Sequence, residues 1–415
     1  MTTFLNCFKN TIILFVLVAI SCGKTQSNPI LLESEPEIAL TKKDSSLPKI
    51  ITGANRIYEY LPLLKNKRVG IVANQTSVTT NKRGQFIHLV DTLLQHKIAV
   101  KKVFAPEHGF RGTADAGEII KNGIDTKTGL PIISLYGANK KPSLEQLEDL
   151  DLVIFDIQDV GARFYTYISS LHYVMEACAE KGIPVVVLDR PNPNGHIVDG
   201  PILEPEHHSF VGMHPIPVLH GLTIGEYAQM INGEKWLKNE VSCKLTVIKM
   251  AYYKHEMPYS LPIKPSPNLP NDKAINLYAS LCFFEGTNVS VGRGTNKQFQ
   301  IYGAPFLPET SFKFTPKPNE GAKYPKYENE VCNGYDLSEE RRLEQLNLSY
   351  VLNAYNLSAD KTDFFLKNGF FTKLAGTKQL QNQIEAGNTE AIIRASWQKG
   401  LEAFKQKRAK YLLYN

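Results

Sequence analysis

Cysteine is scarce and scattered. The 415 residues contain six, of which Cys7 and Cys22 fall in the N-terminal segment, while Cys178, Cys243, Cys282 and Cys332 stand far apart with no C-x-x-C pair. This spacing does not support a zinc or dithiol motif. Cys178 and Cys282 have apolar neighbours and read as small core residues, although an exported chain could pair some of the four. G-x-G-x-x-G after the first strand is missing, and so is G-x-x-x-x-G-K-[ST] anywhere, which argues against nucleotide-dependent chemistry. There is neither a G-x-S-x-G elbow nor an H-E-x-x-H pair, so serine hydrolase and zinc peptidase patterns are unsupported. His207, His208, His214 and His220 match no helical ligand spacing, and no metal or other cofactor is expected. The 47 basic and 41 acidic residues leave a formal charge of +6, and they form no Lys/Arg block of the kind that tracks nucleic acid. No nucleic-acid partner is expected.

Nor is there an apolar run long enough to span a bilayer comfortably. The run at 11–20, preceded by Lys9 and followed by small residues, has the make-up of an export signal. Ala19-Ile20-Ser21-Cys22-Gly23 is similar to a bacterial lipoprotein cleavage box in which Cys22 would be lipidated. Ala19 stands where that box usually has Leu, so simple signal-peptide cleavage is the alternative. Residues 23–48, rich in Ser, Glu, Lys and Pro, read as a flexible tether. The expected address is the periplasm, with a lipid anchor in a membrane. The absence of an acidic cluster after Cys22 favours this over the cell surface.

What is present is an alternation of short apolar runs and helix-spaced segments. Strands are expected at 69–73, 98–105, 132–135, 152–155, 184–188 and 244–250. Helices are expected at 85–95, from Ser143 (with Gln146 as capping-box partner), at 164–179 and at 223–231. This pattern implies an α/β fold, a Rossmann-like doubly wound and mainly parallel sheet. The segment 264–271, Lys-Pro-Ser-Pro-Asn-Leu-Pro-Asn, is too proline-rich for regular structure. It is expected to join a catalytic domain, 49–265, to a second, smaller α+β C-terminal domain, 266–415. Beyond it, 281–285 reads as a strand, and helices are expected at 378–385 and 389–410. In the last of these, Ile393, Trp397, Leu401 and Phe404 make an apolar packing stripe.

Chemistry concentrates where strands end, the edge at which open α/β sheets bind ligands. The run at 152–155 leads into Asp156, Asp159 and Arg163, followed by Tyr165. The second strand leads into Glu107, His108 and Arg111, with Asp115 and Glu118 shortly after. The first strand ends at Asn74, and the strand at 184–188 ends in Asp189, Arg190, Asn192 and Asn194. Glu285 and Arg293 follow the proline-rich segment. Paired carboxylates beside Asn, Arg and Tyr suit glycoside hydrolysis: one acid protonates the leaving oxygen, and another attacks, stabilises the developing oxocarbenium or orients a water.

At these residues the sequence resembles a known family. The segments Pro-Glu107-His-Gly, Asp156 to Tyr167, Asp189-Arg-Pro-Asn-Pro-Asn-Gly195, Pro-Ser-Pro-Asn268 and Phe284-Glu-Gly-Thr-Asn-Val-Ser290 are similar, in the same order, to those of the DUF1343 family. That family is associated with exo-β-N-acetylmuramidases, glycoside hydrolase family 171. The resemblance runs from about Gly53 to Tyr414. It implies a Rossmann-like domain with a smaller C-terminal domain, a cleft between them, and release of terminal N-acetylmuramic acid (MurNAc) from the non-reducing end of peptidoglycan fragments such as muropeptides or MurNAc-GlcNAc oligosaccharides. It makes Glu107 the leading catalytic acid or base. Asp156 and Asp159 are the favoured second carboxylates, with Glu118 and Glu285 behind them. The lactyl carboxylate of the sugar asks for a cation, for which Arg163, Arg190 and Arg293 are candidates. Asn74, His108, Arg111, Tyr165, Asn192 and Asn194 are expected to bind substrate. Alternatives are a non-catalytic peptidoglycan-binding lipoprotein, or another exported hydrolase acting on cell-wall sugars.

Overall fold

A computed structural model describes residues 49–107, 109–111 and 122–414. The signal, Cys22, the tether, His108, Asp115 and Glu118 lie outside the described residues. The elements in chain order are α1 (Ile57–Leu64), β1 (Arg68–Ala73), β2 (Val78–Thr80), β3 (Phe86–His88), α2 (Leu89–Gln95), β4 (Ala99–Ala105), β5 (Gly123–Ile124), β6 (Pro131–Ser134), β7 (Leu152–Asp156), α3 (Tyr167–Lys181), β8 (Val185–Leu188), α4 (Ile224–Gly233), β9 (Leu245–Ile248), α5 (Asp272–Leu281), β10 (Ile301–Ala304), β11 (Phe312–Phe314), β12 (Cys332–Asp336), α6 (Ser349–Leu357), α7 (Phe370–Ala375), α8 (Gln379–Glu385) and α9 (Glu390–Ala409).

Seven strands form the central sheet in the order β5-β6-β4-β1-β7-β8-β9. Only the edge pair β5–β6 is antiparallel. Without β5, this is the strand order of a dinucleotide-binding fold, reversing between β1 and β7. The apolar run of β7 lacks alternation because both of its faces are covered. Val153 and Phe155 join a large core with α3, α4 and the C-terminal part of the chain. Leu152 and Ile154 join a smaller core with Tyr60 and Leu64 of α1 and Leu89 and Leu93 of α2. The large core continues without a break into Phe283, Phe284 and the stripe Ile393, Trp397, Leu401 and Phe404, so the chain from Pro48 on is one compact unit. A smaller antiparallel sheet, β10-β12-β11, and α6 to α9 make up the C-terminal part.

Three expectations are corrected. The helix expected at 85–95 begins as β3, which pairs with β2 in a hairpin, and only Leu89–Gln95 is helical. The box at Ser143 does form, with the Ser143 amide donating to Gln146 Oε1 at 2.9 Å and the Gln146 amide to Ser143 Oγ at 3.2 Å, but it opens a single 3-10 turn at Glu145–Leu147. The strand expected at 281–285 is a 3-10 turn, Cys282–Gly286, extending α5. Cys178, Cys243, Cys282 and Cys332 are all buried and unpaired.

Candidate functional site

The strand reversal between β1 and β7 is filled by the protein's own polar groups. Asn74 is buried; its Nδ2 donates to Tyr167 Oη at 2.8 Å, and its Oδ1 accepts from the amide and hydroxyl of Thr76. Ser77 Oγ donates to the Asp156 carbonyl. The open cleft lies one strand over, at the end of β4. It encloses about 810 Å³ of empty space, part of it open to solvent. Glu107, Tyr136 and Thr166 stand on one side, Asn268 and Ser266 come from the proline-rich segment, and Glu285 and Arg293 follow α5.

Glu107 follows β4 across Pro106, so the strand sets its position. Thr166 Oγ1 donates to Glu107 Oε2 at 2.8 Å and Tyr136 Oη donates to Oε1 at 3.2 Å. Tyr167 Oη lies 3.4 Å from the Glu107 carbonyl, so Asn74 supports the acid indirectly. Phe164 and Tyr165 line the same cleft and meet Tyr278 edge-on at 5.5 and 5.7 Å between centroids, giving an aromatic wall suited to the apolar face of a pyranose. Tyr165 Oη donates to the Pro265 carbonyl at 3.0 Å, which anchors that wall to the proline-rich segment. Arg293 Nε lies 3.2 Å from Glu285 Oε1, and its guanidinium carbon sits 5.1 Å from the Phe299 ring centre. Burial alone would raise the Glu285 carboxyl, but Arg293 and Lys326 outweigh it and hold it below the usual range. Glu285 is thus an ionised partner for Arg293 rather than a proton donor.

The other expected residues are placed elsewhere. Asp156 is fully buried and accepts from Arg190 Nε at 2.6 Å and Nη2 at 2.9 Å, so both groups of this pair are engaged inside the fold and neither lines the cleft. Arg163 is corrected as a ligand for a substrate carboxylate. Fully buried, it donates from Nη1 to the carbonyls of Pro201 and Ile216 and from Nη2 to those of Leu374 and Ala375, at 2.6 to 2.9 Å. Asn192 Nδ2 donates to the Leu222 carbonyl, and Asn194 Nδ2 to those of Val160 and Ile275, so these two amides hold loops together. Arg111 pairs with Asp125 at 2.8 Å beside the Phe110 ring. Thr166, Tyr136, Ser266 and Asn268 were not foreseen as site residues, though the motifs at Asp156 to Tyr167 and Pro-Ser-Pro-Asn268 contain three of them.

Residues 69–273 match the family described as exo-beta-N-acetylmuramidase NamZ, N-terminal, and residues 276–414 match its C-terminal counterpart. The chain belongs to the NamZ family. It is 40% identical over 395 residues to the peptidoglycan beta-N-acetylmuramidase NamZ of Bacillus subtilis (strain 168), a match covering 88% of this chain and 92% of that one. Two crystal structures of DUF1343 family proteins from Bacteroides fragilis NCTC 9343 share the fold. One is 46% identical with a TM-score of 0.81 and the other 29% identical with a TM-score of 0.74, each covering 88% of this chain and 99% of its own.

Asp159 lies behind this NamZ-family cleft. It is buried, its Oδ2 accepts from the Gly161 amide at 2.7 Å, and its Oδ1 has no hydrogen-bond partner among the described residues. Gly161, at φ +78°, allows that turn; a Cβ there would come within 2.2 Å of the Asn192 side chain. His220 Nε2 approaches to 4.0 Å, but burial, then Arg408 and Arg163, push that ring down to about 3, so this is no ion pair at neutral pH. Burial raises Asp159 to about 7 against amide bonds that lower it. A carboxyl whose folded value is raised binds its proton in the fold first, so its contribution favours the fold at acid pH and fades as pH rises from about 4 to about 7. Asp159→Asn should therefore gain stability relative to the parent across that window, by up to roughly 4 kcal/mol at pH 8. Denaturant midpoints measured from pH 4 to 8 check this; parallel curves for the two proteins would contradict it.

Proposed function

We propose that the protein is an exo-β-N-acetylmuramidase that removes terminal MurNAc from the non-reducing end of peptidoglycan fragments, a step in cell-wall turnover and recycling. The observation that carries this reading is an acid, Glu107, tethered by two hydroxyls in the cleft of a NamZ-family scaffold. In the proposed reaction Glu107 gives its proton to the glycosidic oxygen as the C1–O bond breaks, and the leaving sugar departs with the bonding electron pair. Positive charge develops at C1 and the ring oxygen. The oxygen of a water ends on C1, either directly or after the substrate's own 2-acetamido oxygen has held C1 as an oxazolinium that the water opens, and the proton the water gives up restores Glu107. Thr166 and Tyr136 orient the carboxyl throughout. The direct test is incubation with MurNAc-GlcNAc and detection of the two free monosaccharides. No release at any pH between about 5 and 8 would leave a glycan-binding protein instead.

Arg293 is the proposed partner of the lactyl carboxylate, since it is the arginine of the three candidates that lines the cleft. A charge-assisted contact of this type is worth about 1.5–3 kcal/mol, or roughly 10- to 100-fold. Arg293→Ala should lose that factor in kcat/KM on aryl MurNAc glycosides and much less on the matching GlcNAc glycosides. An equal loss on both would remove the assignment. The apolar run at 11–20 and Cys22 support export and a lipid anchor facing the periplasm; an unmodified Cys22 in the mature protein, read by mass spectrometry, would rule out the anchor.

A further inference from the structure

A second groove, with about 1060 Å³ of empty space, borders the cleft and shares Glu285, Arg293 and Phe370 with it. Its outer wall is the segment Lys323-Tyr324-Pro325-Lys326. Tyr324 is 92% exposed, the most exposed large hydrophobic side chain described, although an aromatic ring of this size usually finds cover. The wall beneath it is fixed. Lys326 Nζ donates to the carbonyls of Phe284, Thr287 and Val289 at 3.1, 2.5 and 3.4 Å, and Tyr327 Oη donates to the Asn288 carbonyl at 2.5 Å. Asn319 and Ala322 close a turn on each other through both backbone bonds, while Asn268 Nδ2 donates to the Gly321 carbonyl at 2.5 Å. Tyr324 and the Lys323 side chain, also exposed, are thus presented on a braced support.

We propose that this groove holds the reducing-end continuation of a longer glycan whose terminal MurNAc occupies the cleft, and that Tyr324 and Lys323 select for it. The inference rests on the muramidase reading above. Three observations select this occupant. The groove and the cleft share Glu285, Arg293 and Phe370 as lining, so a chain leaving C1 has the groove beside it. The lactyl group on O3 and the leaving group on C1 both flank C2, so both can face the shared Arg293 border. Alternating glycans also carry a second lactyl carboxylate two sugars beyond the cleaved bond, and the groove's outer wall bears a cationic side chain, Lys323, next to an aromatic face, Tyr324. A peptide strand would seek free backbone donors and acceptors, whereas the turn at 319–322 already uses several of its own.

Binding measured in a Glu107→Gln background, where intact glycans persist, tests this without relying on turnover. The probes are MurNAc-GlcNAc, its tetrasaccharide (MurNAc-GlcNAc)₂ and a peptide-substituted MurNAc-GlcNAc. The tetrasaccharide should bind about tenfold more tightly than the disaccharide. Adding Tyr324→Ala or Lys323→Ala should bring that ratio to within about twofold of unity, and raising the salt concentration should shrink the Lys323 share. Equal affinity for the two glycans would overturn the proposal, as would a tetrasaccharide advantage that survives both substitutions. A preference for the peptide-substituted disaccharide that the same substitutions abolish would also overturn it, assigning the groove to the stem peptide. Whether the parent protein hydrolyses MurNAc-GlcNAc is a separate reading, so failure of the enzyme assignment would show there and not in these affinities.

Discussion

Glu107→Gln should lose about 100- to 10,000-fold in the rate of monosaccharide release from MurNAc-GlcNAc, the range a positioned general acid or base contributes, while remaining folded. The amide keeps the size of the carboxyl and can still accept from Thr166 Oγ1, so the cleft should be preserved. What disappears is the proton that the departing oxygen requires. Glu285 cannot take over, because Arg293 and Lys326 hold it ionised and its pairing with Arg293 occupies it. The check is a rate measurement beside an unfolding curve. Undiminished release with a normal curve would leave the activity in place and remove Glu107 as the acid.

The second large effect concerns stability. Arg163→Met should cost the fold at least about 3 kcal/mol, the scale at which removing one partner from a buried, charge-assisted hydrogen-bond network destabilises. The guanidinium supplies four hydrogen bonds to carbonyls that are far apart in sequence, Pro201 and Ile216 on one side and Leu374 and Ala375 on the other. Methionine fills much of the space and satisfies none of them. Burial pushes Arg163 down to about 9, with Tyr227 opposing, which still leaves it charged at neutral pH. Close approach depends on Gly376, at φ +74°, where a Cβ would come within 2.6 Å of Nη2. Arg163→Lys should rescue little, since an ammonium cannot span both carbonyl pairs in the planar fork a guanidinium provides. Urea unfolding of the three proteins measures this; a loss below about 1 kcal/mol for methionine would contradict it.

The mainly parallel sheet and the double-sided burial of β7 were legible because strands alternating with helices, and an unbroken apolar run between turn signals, have few other solutions. The α4 cap was legible for a similar local reason: Thr223 and Glu226 form the reciprocal capping pair. The stretch 281–285 misled because bulky residues in a row look like a strand, while the signal for α5 is a single Asn271 whose side chain accepts from the Ala274 amide at 2.9 Å. Misplaced site residues have one common cause. Asp156 with Arg190 and Arg163 with its carbonyls are the residue types of a binding site, at strand ends where a binding site belongs. Nothing in composition tells whether such a group faces its neighbour or the solvent. Thr166, Tyr136 and Asn268 escaped for a related reason, since a hydroxyl or amide gains meaning only from what it touches, here Glu107 for Thr166 and Tyr136 and the Gly321 carbonyl for Asn268.

Thr166 also stands at the head of α3, and the helix has no side-chain cap there. Its hydroxyl is turned to Glu107 instead. A cap of the usual kind stabilises a helix by about 1 kcal/mol, so the fold forgoes a local gain at the point where α3 meets the acid. Robustness and reactivity compete for a single oxygen atom, and a lineage selected for heat resistance alone would be drawn toward a residue that closes the helix and lets the carboxyl swing.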